Sequence, residues 1–252
     1  MFVPFHDDGI ISQFEGYEYL EELDWDAYRE RYGNIQRLDR ILRAEGDDPS
    51  RYKVSKQPDV VMLFYVLAPA EIREVFERLG YEYRHDTAAR NIAYYDERTS
   101  HGSTLSFVTF AAVLAPLDPE SSWQRSLVAL RSDVEDIQAG TTREGLHMGV
   151  MSGTVDLMQR AYPGTEMRDG VLRFQPRLPA AVEQIAFRMQ FQRTPLQVTL
   201  DHERLAISIQ PEGADSPIRV GVGDDVRELC PGDTETFELS SPVAVGGQRR
   251  NS

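Results

Sequence analysis

Two kinds of hydrophobic pattern divide the chain. Up to about residue 165, apolar positions recur at helical spacing or form unbroken runs. From about 170 to 240 they alternate with polar ones. In PAEIREVFERLG (residues 69–80), Ile72, Val75, Phe76 and Leu79 fall on one helical face, Pro69 suits a first turn, and Gly80 suits the position just past the end. In DPESSWQRSLVALR (118–131), Asp118 can cap, Pro119 can start, and Trp123, Leu127 and Leu130 predict the buried stripe. Residues 24–32 predict a weaker amphipathic helix. VVMLFYVL (60–67) is apolar all round, and so is most of 105–117. Periodicity alone does not separate a buried helix from a buried strand there. LHMGVMSGTVDLMQR (146–160) mixes apolar residues with Gly149, Ser152 and Gly153, small side chains that permit close helix approach. Outer amphipathic helices alternating with inner, doubly buried ones predict a two-layer helical barrel.

The second pattern has a period of two. Ile185, Phe187, Met189 and Phe191 alternate with polar or small residues, as do Leu196, Val198 and Leu200, and then Leu205, Ile207 and Ile209. Asp201-His-Glu-Arg lies between the last two sets and predicts a turn. Shorter strands are expected near 218–222, 226–229 and 236–239, which together predict a small antiparallel sandwich. GGQRRNS (246–252) has the character of a frayed tail. The expected organisation is therefore mainly α followed by β: a helical part over 1–165, a β-domain over 166–245, and a disordered tail over 246–252.

Composition narrows the function classes. The 252 residues carry 27 basic and 41 acidic side chains, a net charge of −14. Such a chain repels a phosphate backbone and an anionic membrane surface, so neither nucleic acid nor membrane is expected as a partner. Cys230 is the single cysteine, which excludes an internal disulfide framework and a cysteine-rich metal site. The five histidines show no metal-ligand spacing, so no metal is expected. No apolar run reaches the ~18 residues of a membrane span, and MFVPFHDDG lacks the basic and apolar regions of a signal peptide. A cytoplasmic location is expected.

Three segments can carry chemistry. TSHGSTLS (99–106) sets small donors just before an apolar helix, where free amides and partial positive charge bind anions. Its plain reading is a serine cap at Ser103 with His101 in a loop. GTTREGLHMG (140–149) again runs from a glycine-bearing loop into a helix. His147 there is either an anion or sugar contact or a satisfied structural histidine. SKQPD (55–59) leads into the apolar run, with Lys56 and Gln57 facing a polar cavity or simply solvated at a helix start. The carboxylates crowded between Glu15 and Glu30 read as a solvated acidic face rather than an acid–base pair.

In this order, KQPDV, SHGSTLS and GTTREGLHMG resemble the KQADV, HGSSLS and GTTxEGIHLG patterns of glycoside hydrolase family 65, the maltose, trehalose and kojibiose phosphorylases and some hydrolases. GIISQFEGY (9–17) is similar to the segment preceding the first of them. The resemblance implies the later helices of an (α/α)6 barrel plus a small C-terminal β-sandwich, and makes residues 60–67 an inner helix. It implies an inverting reaction on an α-linked glucose disaccharide. Inorganic phosphate attacks the anomeric carbon, a glutamic acid protonates the leaving oxygen, and β-glucose 1-phosphate is released. No cofactor is implied; phosphate is a co-substrate.

Carried over by motif, Ser103, Thr104 and His147 match phosphate-binding residues, and Lys56 and Gln57 match glucose contacts. His101 and Gly102 shape the loop. Thr104 keeps the hydroxyl of the commoner serine, and Pro58 replaces the commoner alanine and should start its helix well. No catalytic residue can be carried over, because the family's general acid lies in a GPDEYH-like motif absent from these 252 residues. The chain is accordingly expected to be the C-terminal part of the enzyme and inactive alone. The accounts that follow are a truncated frame, a split enzyme completed by an N-terminal polypeptide, or a non-catalytic remnant or sugar/phosphate-binding module. A family 65 hydrolase is the alternative activity, and the full-length family form commonly dimerises.

Overall fold

A computed structural model of the chain describes residues 2–138, 140–211 and 216–239. It forms two compact units divided between Tyr162 and Pro163. The expected tail at 246–252 and the last residues of the expected β-domain lie outside the described residues.

The first unit is helical. Its α-helices are α1 (Trp25–Tyr32), α2 (Leu38–Ala44), α3 (Asp59–Val66), α4 (Pro69–Leu79), α5 (Thr87–Asp96), α6 (Leu105–Leu114), α7 (Pro119–Arg131) and α8 (Met148–Asp156). Both ambiguous apolar runs are helices. α6 buries every residue from Ser106 to Ala111, while α3 buries only Val60 and Val61 and leaves its C-terminal end open to solvent. Helix ends follow the local chemistry. Glu71 accepts the Ala68 amide at 2.8 Å ahead of α4, and Asp118 accepts the Ser121 amide at 3.0 Å ahead of α7. Gly80 ends α4 at φ 77°, a left-handed backbone suited to glycine.

Two helical faces differ from expectation. In α4, Ile72 and Phe76 are buried but Val75 is 40% exposed. In α7 the buried residues are Ser122, Ser126 and Ala129, and Leu130 is 53% exposed. Small side chains let α7 approach α6 closely. Ser122 Oγ donates to the Ala111 carbonyl at 2.6 Å, and both serine hydroxyls contact the Tyr162 hydroxyl. A polar seam of this kind hides from a hydrophobic stripe. α5 escaped the pattern for the same reason, since its buried face contains Thr87 and Asn91. Asn91 receives the Ile11 amide at 2.8 Å and donates to the Thr87 carbonyl at 2.8 Å, satisfying both ends of a buried amide.

Among the described residues, the second unit holds two four-stranded sheets. Its strands are β1 (Glu166–Arg168), β2 (Val171–Phe174), β3 (Gln184–Phe191), β4 (Thr194–Asp201), β5 (Arg204–Ile209), β6 (Ile218–Val222), β7 (Asp225–Leu229) and β8 (Thr234–Glu238). The orders are β1-β2-β6-β7 and β3-β4-β5-β8. Register pairs Phe187 with Val198 and Val198 with Ile207, so the alternating apolar residues share one face and enter one core with Leu172, Phe174, Val220 and Phe237. Asp201 Oδ1 accepts the amides of Glu203 and Arg204 at 2.8 Å, making the expected turn. The sandwich is not wholly antiparallel. β2 pairs with β6 in parallel, so one sheet is mixed. That pairing joins segments more than forty residues apart, which alternation cannot register.

α8 meets α6 through Gly153, where a Cβ would lie 2.6 Å from Val108 Cγ1; at Gly149, on the same helix, a Cβ would meet nothing within 4 Å. Gly153→Ala should therefore cost about 1–3 kcal/mol by overpacking. Gly149→Ala should be neutral or stabilise by up to ~1 kcal/mol. Urea denaturation of the two variants measures the difference, and equal midpoints would contradict the close packing.

Candidate functional site

The loops entering α3 and α6 are joined by backbone pairing. The Ser55 amide donates to the Arg98 carbonyl at 2.9 Å, and the Ser100 amide donates to the Ser55 carbonyl at 2.8 Å. Past this short parallel bridge each strand turns into its helix. Pro58, at φ −75°, precedes α3 as its composition suggests. Gly102 lies so close to its neighbours that a Cβ would sit 2.6 Å from the Gln36 carbonyl oxygen and 2.9 Å from Lys56 Cγ.

This geometry brings Lys56, Gln57, Gly102 and Ser103 together. Ser103 Oγ donates to Gln57 Oε1 at 3.3 Å. The plain reading of Ser103 as a helix cap does not hold, because Thr104 is the residue before α6 and no side chain caps the helix. Thr104 itself is 2% exposed. Lys56 is not merely solvated: its Nζ pairs with Asp39 Oδ2 at 2.9 Å. Burial pushes the Asp39 carboxyl up, but the Lys56 hydrogen bond and charge outweigh that and hold it below the usual range. Beside these residues a cavity of about 330 Å³ is lined by Arg29, Asn34, Gln36, Ser100 and His101. Gln36 Oε1 is buried and has no hydrogen-bond partner among the described residues.

His147 is tied to the loop at His101 only through the turn before it. It stands immediately ahead of α8, and Asp133 accepts its amide at 2.8 Å and its Nδ1 at 2.5 Å. The His147 contact holds the Asp133 carboxyl below its usual range. Five residues on, Gln138 Nε2 donates to the His101 carbonyl at 3.3 Å, and Asn34 Nδ2 donates to the neighbouring Ile137 carbonyl at 3.4 Å. Thus one turn links the loops that begin α6 and α8. Arg143 and Glu144 lie exposed in a short 3-10 helix of that connection.

His101 has a left-handed backbone, φ 55°. Its ring stacks on Phe107 at 4.4 Å and meets Phe110 edge-on at 5.6 Å. Nδ1 contacts Ser106 Oγ at 2.8 Å, and Nε2 contacts an Arg125 guanidinium nitrogen at 3.3 Å. Burial first, then the Arg125 charge, bring its pKa down to about 3, so the ring is neutral at ordinary pH. Arg125, Ser106, Asp133 and Asp39 were not singled out from the sequence. An arginine on an amphipathic helix reads as surface, and nothing local shows that Arg125 turns inward.

Residues 1–156 match the glycosyl hydrolase family 65 central catalytic domain, and residues 165–229 match that family's C-terminal domain. The chain belongs to glycosyl hydrolase family 65. It is 45% identical over 249 residues to an uncharacterized glycosyl hydrolase of Mycobacterium tuberculosis, covering 99% of this chain and 18% of that protein. It is 33% identical over 240 residues to a trehalose 6-phosphate phosphorylase of Lactococcus lactis, covering 95% of this chain and 31% of the relative. A solved structure from the human microbiome, provisionally named a kojibiose phosphorylase, superimposes with a TM-score of 0.74 at 19% identity, covering 95% of this chain and 30% of that one. That likeness establishes the fold: barrel-type helices followed by a β-domain. The chain spans less than a third of the length of these family 65 relatives. Among the described residues no helix is long and apolar enough to cross a membrane.

The lowered pKa values of His101 and His6 make a prediction about acid. His101 is held far below its ordinary 6.5, and His6 is also lowered by burial. As pH falls below 6.5 the unfolded chain takes up protons that these folded rings refuse, so stability should drop. The His101 share should approach ~1.4 kcal/mol per pH unit at most. Urea midpoints from pH 6.5 to 4.5 should decline, and His101→Gln should flatten the slope. An unchanged slope would show that the ring titrates normally.

Proposed function

We propose that this chain forms the phosphate- and glucose-contacting part of an inverting family 65 disaccharide phosphorylase. It acts with the remaining family segments, whether on the same polypeptide or on a complementing N-terminal one. The observation that carries this reading is the apposition of the KQPD and SHGST segments, with Ser103 Oγ 3.3 Å from Gln57 and Gly102 pressed against Lys56. In the proposal, Lys56 and Gln57 hold the donor glucose. The hydroxyls of Ser103 and Thr104, the uncapped start of α6, and His147 hold inorganic phosphate as co-substrate. Phosphate is already an anionic nucleophile and needs no base carboxylate, unlike water in an inverting hydrolase. Asp133, the carboxylate nearest His147, has both oxygens engaged by His147, which supports phosphorolysis over hydrolysis. The proposed enzyme needs no other cofactor. It draws its general-acid glutamate from outside these residues, so the chain alone is expected to lose the ~10²–10⁴-fold that such an acid supplies. A homodimer of the completed enzyme is part of the same proposal.

The substrate proposed is an α-linked glucose disaccharide. A phosphorylated one is the favoured candidate, because the trehalose 6-phosphate phosphorylase is 33% identical over 95% of the chain, whereas the kojibiose phosphorylase of Halothermothrix orenii is 26% identical over 82%.

The test is turnover by the chain reconstituted with the remaining family 65 segments, on trehalose 6-phosphate, trehalose and kojibiose. Phosphate-dependent release of β-glucose 1-phosphate is expected. Ser103→Ala should raise KM for phosphate about 10- to 100-fold, the value of one charge-assisted hydrogen bond, with KM for the disaccharide nearly unchanged. Equal turnover without phosphate would overturn the assignment.

A further inference from the structure

The His101 ring has two neighbours whose chemistry leaves it one tautomer. A guanidinium donates and never accepts, so the 3.3 Å contact from Arg125 makes Nε2 the acceptor. The neutral ring must then carry its proton on Nδ1 and donate to Ser106 Oγ at 2.8 Å. Ser106 Oγ, accepting from Nδ1, keeps its own proton free to donate to the Ser103 carbonyl at 2.7 Å. That carbonyl also receives the Ser106 amide at 3.1 Å. Every arrow runs one way, from Arg125 to Ser103. Upstream, Arg125 is itself held by Asp96 Oδ2 at 2.6 Å. Were Nε2 to carry the proton instead, Nδ1 would accept from Ser106, and the Ser103 carbonyl would lose the hydroxyl.

We infer that Arg125 is a positioning residue for the anion site at the start of α6, setting the direction of the hydrogen-bond chain through His101 and Ser106 that immobilises the Ser103 backbone. With its backbone held, Ser103 keeps its hydroxyl on Gln57 Oε1, 3.3 Å away. The device also secures a left-handed histidine, a conformation that persists only where its surroundings impose it. The charged groups facing the ring are Arg125 and, through it, Asp96. Both come from helices packed around α6, so the arrangement is built by tertiary structure rather than by the loop itself. The anion in question rests on the phosphate reading proposed above.

The experiment uses the full chain with ¹⁵N-labelled histidine. Long-range ¹H–¹⁵N spectra report the tautomer, and calorimetry with inorganic phosphate reports the anion site. The wild-type ring should be Nδ1–H. Arg125→Met should convert it toward Nε2–H and weaken phosphate binding by about tenfold. Arg125→Lys, which keeps a cationic donor, should restore the Nδ1–H ring and return binding to within about threefold of wild type. Because Arg125→Met alone strands the Asp96 carboxylate, the double variant R125M/D96N keeps the test usable if the single variant does not fold. Ser103→Ala should lose phosphate while leaving the His101 spectrum unchanged. An Nε2–H ring in the wild type, or an unaltered ring in both methionine variants, would overturn the inference. A wild-type chain that binds no phosphate would overturn the phosphate reading instead, and conversion of the tautomer would still support the role of Arg125.

Discussion

Backbone hydrogen bonds around Ser55 hold the helical unit's two candidate-site loops side by side, and the geometry between those loops depends on them. Ser55 donates to Arg98 and accepts from Ser100, so two segments more than forty residues apart are in register before either becomes a helix. Everything beyond the bridge inherits that register. Gly102 meets Lys56 with no room for a side chain, Ser103 meets Gln57, and His101 is turned back over α6. Backbone bonds suit this task because they fix the chain itself. The side chains at the bridge are small and bond locally: Thr99 Oγ1 donates to the Tyr95 carbonyl at 2.6 Å and Ser100 Oγ to the Ser55 carbonyl at 3.3 Å.

A second constraint is electrostatic. The chain carries a net charge of −14, yet the proposed ligand is an anion. The structure handles this locally. Lys56 is paired with Asp39 and Arg125 with Asp96, so these cations serve as oriented donors rather than as free charge. Pairing keeps partly buried charges from standing alone, a situation that costs several kcal/mol. In the proposal, what remains to attract the anion is the uncapped helix start, whose field falls off within a turn, a few hydroxyls and His147. A net charge of −14 repels a polyanion over the whole surface, but it does not govern a site of this size.

The β-unit shows how far a linear pattern reaches. Alternation over β3, β4 and β5 places Ile185, Val198 and Ile207 on one face, and the structure keeps that assignment because a slip of one residue would expose the whole set. β1 and β2 were not visible beforehand. They are short, and β2 is stabilised by β6, a parallel partner far along the chain. The helical unit repeats the lesson. Apolar α6 and capped α7 were legible, but the buried face of α5 is built on Asn91 and that of α7 on Ser122 and Ser126, polar residues satisfied by partners that only folding supplies.

The sequence by itself therefore determined that a helical part precedes a strand part, several of the helices and strands within each, and the three motif segments that carry the family resemblance. These are local properties: period, capping residue and motif spacing. Only the tertiary structure decided that Ser103 faces Gln57 rather than capping α6, that Lys56 is paired, and that His101 is a neutral ring with a single favoured proton position. Each of these rests on groups brought from other elements: Gln57 from before α3, Asp39 from α2, and Arg125 from α7 backed by Asp96 from α5. A tautomer or a desolvated charge is set by what surrounds it in space, and that neighbourhood is not written in the spacing of residues along the chain.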